Sequence, residues 1–425
     1  MTNLSGKRLM VLGAGPFQLP GIRRAVDLGC WVATVDNLPG NHGHGISHQR
    51  IHCSTLDKGC VLEAARAFEI DGICTFSSDV ATPTVAYVCD ELILVGSSLE
   101  STEAMVSKDR FRSFQKRHGL NHPAFVVGER FRDVASEVGA LGYPVVFKPC
   151  DSSGSRGIAS FETFCFEKMM IAFDLSRSFS RSGRVVIEER LDGVEVGGDG
   201  FWVGGEAAFL CITHKRLEGF APKGHCLPTG IDEANQERVR EALTRCCAAL
   251  SYTDGPLNFD VMVSPERVTI IEMSPRTGGN GIPALIRRAT GVDVEEATIL
   301  RALGKEVVFP EPSKALRSCG SYIIGSRTAG VLAGLPSFKE IQAVVPGLYE
   351  SFFTARPGEI VPKFEHGGHM LGWLLFDCDS PQAYETMART LDVRLKLDIS
   401  EQPPDIRPEN PTEPSMSPAQ GEARR

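Results

Sequence analysis

The chain of 425 residues carries a formal net charge of −8 and is long enough to bury several cores, so roughly two to four domains are expected. No basic stripe stands out against that acidic balance, which excludes nucleic acid and anionic membrane surfaces as expected partners. No stretch reaches membrane-span length, the start KRLMVLGAG lacks the parts of a secretory signal, and the 13 scattered cysteines read as reduced core thiols, so a cytoplasmic protein is expected.

Residues 7–96 alternate strand and helix: KRLMVLG, an amphipathic Phe17–Leu28, WVATVD, a helical Asp57–Phe68, DGICTF, a helical Ala81–Glu91 and a strand LILVG at 92–96. That rhythm predicts a parallel, doubly wound sheet. The first strand ends in Gly13-Ala14-Gly15-Pro16 and the second in Asp36, which imitates a dinucleotide fingerprint. Gln18 stands where the third glycine of G-x-G-x-x-G belongs, so hydride transfer is the weaker reading. In NHGHGISHQRIH (41–52), His44, His48 and His52 recur at a spacing of four. Gly43 and Gly45 favour a loop there over a metal-binding helix face.

Helices are expected near Ser107–His118 and Phe131–Leu141. GYPVVFKPCDSSGSRGI (142–158) reads as a strand, a small flexible turn and a second strand. Lys148 lies in an apolar context where an unpaired ammonium is costly, so it should meet an anion. The loop 151–157, with Ser153, Gly154 and Ser155 at its centre and Arg156 near its end, is rich in backbone donors. It can fold over phosphates and exclude water, although the P-loop spacing is absent. RVVIEERLDGVE (184–195) then runs an apolar strand into Glu188 and Glu189 and a turn carrying Glu195. A strand edge followed by a short linker can hydrogen-bond an adenine, and a following carboxylate suits ribose hydroxyls.

In ITHKRLEGFAPKGHCLPTG (212–230), His214, Lys215 and Arg216 end an apolar strand, and Lys223 and His225 sit in a Gly/Pro loop. These cations suit a carboxylate substrate, the alternative being a solvated strand end. Helices are expected at Glu233–Leu250 and Val292–Leu303. Between them PLNFDVMV-SPER-VTIIEMSPRTGGNG (256–281) reads as two strands around a short turn. Phe259, Val261, Val263, Ile271 and Met273 are expected on one apolar face, with Asp260 and Glu272 on the other. A register pairing Ser264 with Val268 sets the two acids opposite each other, and a one-residue slip separates them. Adjacent carboxylates persist when a cation or a shared proton neutralises them, and hard divalent metals favour such oxygens. The alternative is a solvated hairpin with two surface acids. Arg276 presents a planar fork suited to phosphate or carboxylate, and Asn280 beyond it joins His214, Lys215 and Lys223 as a candidate substrate contact. A Pro-punctuated join (FPEPSK, 309–314) opens a final small α/β domain to about residue 400, and 401–425 reads as a disordered tail.

The ordered set of Lys148 before a Gly/Ser loop, Glu188-Glu189, Gly193-x-Glu195, Asp260 and Glu272-x-Ser274-Pro275-Arg276 resembles the ATP-grasp superfamily over roughly residues 7–305. Within it the pattern is similar to the carboxylate–amine ligases related to biotin carboxylase, carbamoyl phosphate synthetase and L-amino-acid ligases. The resemblance implies an α/β (α+β ATP-grasp) fold with a Rossmann-like N-terminal domain (1–105). A two-lobed ATP-grasp core follows (106–183 and 184–308), then a small C-terminal α/β domain (309–400). It implies ATP and Mg²⁺ as cofactors, with Mn²⁺ able to substitute. Lys108, Lys148, Ser153, Gly154, Ser155, Glu188, Glu189, Leu191 and Glu195 would hold the nucleotide. Asp260, Glu272 and Ser274 would hold metal, and Arg276 and Lys148 would serve catalysis. Ser274 departs from the asparagine the family often carries, and a hydroxyl is a weaker ligand than an amide carbonyl.

The expected reaction is activation of a carboxylate as an acyl phosphate, opened by an amine to an amide with release of ADP and phosphate. Small-molecule carboxylate and amine partners and a homodimer are expected. The alternatives are a relative that uses bicarbonate or stops at phosphorylation, and a nucleotide-binding regulatory protein with a degenerate site.

Overall fold

The computed structural model describes residues 3–310 and 317–400; the tail expected at 401–425 and part of the 309–314 join lie outside them. Four short strands open the fold as a parallel sheet in the order Gln49–Ile51, Trp31–Val35, Arg8–Leu12, Gly72–Thr75. Arg8–Leu12 buries four of its five residues, as a strand covered on both faces must. Helices Leu19–Asp27, Lys58–Ala67 and Thr82–Leu92 flank it. Their starts follow from local chemistry: proline occupies the first turn of the first and third, and the Asp57 side chain accepts from the Cys60 amide in the second.

The strand expected at 92–96 does not form. Leu92 ends a helix, Ile93 takes a left-handed conformation (φ 55°), and the Leu94 amide returns to the Cys89 carbonyl. The apolar run is thus spent on closing the helix. Cys53 and Cys60 lie beside each other across the Asp57 turn, and the other eleven cysteines are free.

A second, antiparallel sheet runs Phe125–Gly128, Val185–Glu189, Val145–Pro149, Ala159–Phe161. Helices Phe131–Ala140 and Phe166–Ser178 close over a core of Phe131, Phe147, Phe173 and Ile187. The sequence gives little sign of the second helix, because Ile171 and Leu175 face outward while Met169 and Phe173 face in.

The largest sheet has eight strands in the order Val268–Ser274, Gly255–Val263, Val194–Val203, Glu206–Glu218, Ala221–Leu227, Cys319–Ile324, Gly372–Asp377, Leu348–Phe353. Its last three strands come from beyond the join, so the C-terminal segment continues the sheet that carries the acidic hairpin. Only Gly330–Gly334, Ile360–Val361 and Asp398–Ser400 form a small sheet of their own among the described residues. Residues 219–230, expected as a loop, contain the strand Ala221–Leu227, which pairs on both sides.

Candidate active site

The hairpin Gly255–Val263/Val268–Ser274 places Asp260 directly opposite Glu272 and Asn258 opposite Ser274. The expected tip register is replaced: Val263, not Ser264, pairs with Val268, and the ladder shifts by one between Asp260 and Val261. The shift is a bulge at Ile271, which restores the acids to opposition. It also changes the faces. Ile270 enters the core with Val261, Val263 and Met273, whereas Ile271, expected there, lines a cleft of about 520 Å³ with Glu272 and Ser274. Gly197 faces Asp260 from the next strand, and a Cβ there would lie 2.7 Å from Asp260 Oδ1. Only glycine leaves room for that carboxylate.

Two lysines reach the acids. Lys215 Nζ lies 2.7 Å from both Glu195 and Asp260, and Lys108 Nζ lies 3.5 Å from Glu272. Burial, together with Glu272 and Glu195, raises the Asp260 carboxyl to about 6 although Lys215 opposes the shift. Burial would raise Glu272 as well, but Lys108, Lys215 and Arg276 together hold it below its usual range. Among the described residues no third His, Cys, Asp or Glu completes a metal shell. The pair therefore suits an ion that draws its remaining ligands from phosphate and water, as Mg²⁺ does. The Ser274 hydroxyl, buried without a hydrogen-bond partner among the described residues, is a further oxygen that such an ion could use.

Lys148 does meet an anion, but an internal one. Its Nζ lies 2.7 Å from Glu188, whose carboxylate also accepts from Arg112 Nε at 2.8 Å. Burial would raise Glu188, yet Arg112 and Lys148 more than offset it and hold the carboxyl at about 2. Arg112 also donates to the Ile271 carbonyl at 2.8 Å, tying the small lobe's strand to the bulge. Glu189 turns outward to Arg267 at 3.0 Å, and half-buried Leu191 follows the strand's end.

The loop 151–157 is docked. Ser155 Oγ donates to the Phe220 carbonyl (2.7 Å), the Gly367 amide donates to the Gly154 carbonyl (2.9 Å), and Lys108 Nζ donates to the Ser152 carbonyl (2.8 Å). Ser153 and Ser152 line the cleft. Arg276 is clamped by residues the sequence did not single out. Its Nε donates to Asp79 of the short 3-10 turn Asp79–Ala81 that follows strand Gly72–Thr75 (2.9 Å), and its Nη1 to Asn258 (2.6 Å). Asn258 and the Gly278 amide both donate to Asp199, a buried acid raised by burial to about 6. Asn258 lies two residues from Asp260 on one strand face, so alternation alone could have found it. Asp79, Arg112 and Asp199 come from distant segments with no local signal.

The substrate candidates separate. Lys215 belongs to the cluster, but His214 lies on the opposite sheet face with its Nε2 3.1 Å from Glu385 of helix Pro381–Arg394, outside the cleft. Arg216 pairs with Asp392 of the same helix. Lys223, on a strand rather than a loop, is buried 3.3 Å from Glu218 and 4.1 Å over the Phe364 ring. Asn280 (φ 56°) sits in the segment that Ser77 ties to the N-terminal sheet through Thr277 and Gly278. His225 is a buried neutral imidazole, pushed down to about 3 by burial, Lys215 and His214. At the N-terminal G-x-G, the Ala14 amide donates to Asp36 (2.8 Å) and the Gly15 amide to Gln18 (3.0 Å). The donors that a dinucleotide would need are taken by the chain's own side chains.

Residues 141–284 match the family described as ATP-grasp domain. Over 370 residues the chain is 24% identical to the uncharacterized protein y4rH of Sinorhizobium fredii, covering 83% of this chain and 73% of that one. Over 347 residues it is 26% identical to human carnosine synthase 1, where it covers 73% of this chain but only 41% of the relative's length. The L-amino acid ligase of Bacillus licheniformis superposes with a TM-score of 0.80 at 21% identity, over 93% of this chain and all of that one. The domain match over residues 141–284 and the shared fold make the chain similar to ATP-grasp proteins.

Proposed function

We propose that the protein is an ATP-dependent carboxylate–amine ligase. The observation that carries this is the opposed Asp260–Glu272 pair, served by Lys215 and Lys108 and flanked by Arg276. The chain's similarity to an L-amino acid ligase and to carnosine synthase supports the same reading.

In this reading the phosphates lie between the docked loop 151–157 and the hairpin. Asp260 and Glu272, with Ser274, hold Mg²⁺ or Mn²⁺, whose contribution is to neutralise phosphate charge. A substrate carboxylate oxygen attacks the γ-phosphorus and ADP departs. The amine nitrogen then attacks the acyl carbon, phosphate leaves and the nitrogen loses a proton. Lys148 and Lys108 meet the negative phosphate oxygens and Arg276 orients the transferring group. The loop, with Ser153, Gly154 and Ser155, keeps water from the acyl phosphate. Glu188 to Leu191 form the adenine edge and Glu195 the ribose contact, Lys215 holding Glu195 beside Asp260. Lys223 and Asn280 remain substrate contacts, and His214 drops out. The whole would act as a cytoplasmic homodimer on small molecules; among the described residues no helix is long and apolar enough to cross a membrane.

The test is ADP and phosphate release across a carboxylate and amine library, with products read by mass. Amide formation that needs both partners supports the reading. ADP release driven by bicarbonate alone, or none with any pair, overturns it.

A further inference from the structure

A second cavity, of about 570 Å³ with open solvent included, lies between the first sheet and the base of the acidic hairpin and shares no lining residue with the nucleotide cleft. Its walls come from strand Gly72–Thr75 and helices Thr82–Leu92, Leu99–Val106 and Val294–Ala302, with Pro256 and Pro275 closing it. Ile73, Val85, Ala86, Val95 and Ala302 make most of the surface apolar.

The threonine hydroxyls around it are already committed, and Ser97 adds a further hydroxyl to the lining. Thr75, Thr82, Thr102 and Thr298 each donate to a backbone carbonyl, at 2.7 to 2.9 Å. Two charged side chains remain in the wall, Arg301 and Asp254, in contact at 3.2 Å. Arg301 Nε is buried and has no hydrogen-bond partner among the described residues. A cavity of this kind offers an apolar body with one cation and one anion side by side, the pattern of a specific small-molecule site.

We propose that this cavity binds an apolar α-amino acid, its carboxylate on Arg301, its ammonium on Asp254 and its side chain against Ile73, Val85 and Ala302. A simple carboxylate would leave Asp254 as a repelling neighbour, and a simple amine would leave Arg301 unanswered, so both charges are required.

Calorimetric titration of the whole protein with leucine, 4-methylpentanoate and isoamylamine, without nucleotide, tests this. Leucine binds saturably and the other two bind at least about tenfold more weakly. Arg301→Gln abolishes leucine binding, and so does Val95→Trp, which plugs the mouth from a half-buried loop position and guards against a folding defect in the first variant. Asp260→Asn, in the other cleft, leaves it unchanged. Equal binding of all three probes, no leucine binding, or binding lost in Asp260→Asn but kept in Arg301→Gln would overturn the proposal. None of these results bears on whether the cleft ligates carboxylates to amines.

Discussion

Two clusters of buried charge meet at the acidic hairpin, joined through Arg112 and the Ile271 carbonyl, and they are balanced in opposite directions. At the second sheet a single carboxylate, Glu188, lies between Arg112 and Lys148, so cations outnumber acids. Around the hairpin three carboxylates, Asp260 and Glu272 with Glu195 of the neighbouring strand, share the two lysines Lys215 and Lys108. Both raise the same cost of burying charge, yet only the first is settled internally, with its carboxyl held at about 2. The second leaves Asp260 raised to about 6. Under the proposed function, a surplus of each sign in neighbouring clusters suits a triphosphate and its divalent ion.

The largest expected effect comes from removing hairpin charge. Asp260→Asn or Glu272→Gln lowers kcat by about a hundredfold or more, the scale of losing one preorganised electrostatic partner. The metal-free melting temperature stays level or rises, because mutual repulsion is relieved. Full activity in both variants would end the comparison. Glu188→Gln does the reverse and strips a partner from buried Arg112. A loss of about 3–5 kcal/mol in urea unfolding is expected. The sign of its pH dependence follows from a depressed carboxyl. The stability that Glu188 contributes is present above its unfolded value of 4.5 and is lost as pH falls through about 2. Acid titration of the Gln variant should therefore be flatter over that window.

Asp260 carries the opposite sign. A raised carboxyl contributes stability below its unfolded value of 3.8 that is lost as pH rises through about 6. The thermal shift produced by Mg²⁺ with a non-hydrolysable ATP analogue should accordingly be larger at pH 7.5 than at pH 5, and equal shifts would remove Asp260 from the metal site. The docked loop gives a smaller effect. Tryptic cutting at Arg156 should be slow with nucleotide and faster in Ser155→Ala, which loses the Phe220 contact. Ser274→Asn is the mildest change: activity persists and half-saturation shifts to lower Mg²⁺, since an amide oxygen is the better ligand.

Strand alternation made the meeting of Asp260 and Glu272 readable from sequence, since a hairpin with one apolar face leaves few registers. What alternation did not reveal is the bulge, because Ile270 and Ile271 are the same residue type and only contacts decide which enters the core. His214 and Lys215 show a different limit. They are neighbours on one strand, and the face that His214 takes is covered by helix Pro381–Arg394, far along the chain. Arg112 and Asp79 form their ion pairs with partners 76 and 197 residues away, and no local pattern announces such pairs. Of the parallel first sheet, Arg8–Leu12, Trp31–Val35 and Gly72–Thr75 were legible as apolar runs, whereas Gln49–Ile51 lay in a stretch read as a loop and the strand expected at 92–96 does not form.

The eight-stranded sheet has a consequence for how this protein can be divided. Strand Ala221–Leu227 pairs with Glu206–Glu218 on one side and with Cys319–Ile324 on the other, so the catalytic lobe and the C-terminal segment share backbone hydrogen bonds. A fragment ending near residue 308 would bare a row of amides and carbonyls beside Lys223 and His225, a template for sticking to its own copies. The C-terminal segment is therefore no detachable bead. Recombination that moves the acidic hairpin with its sheet would have to carry residues up to about 400 as one inherited block.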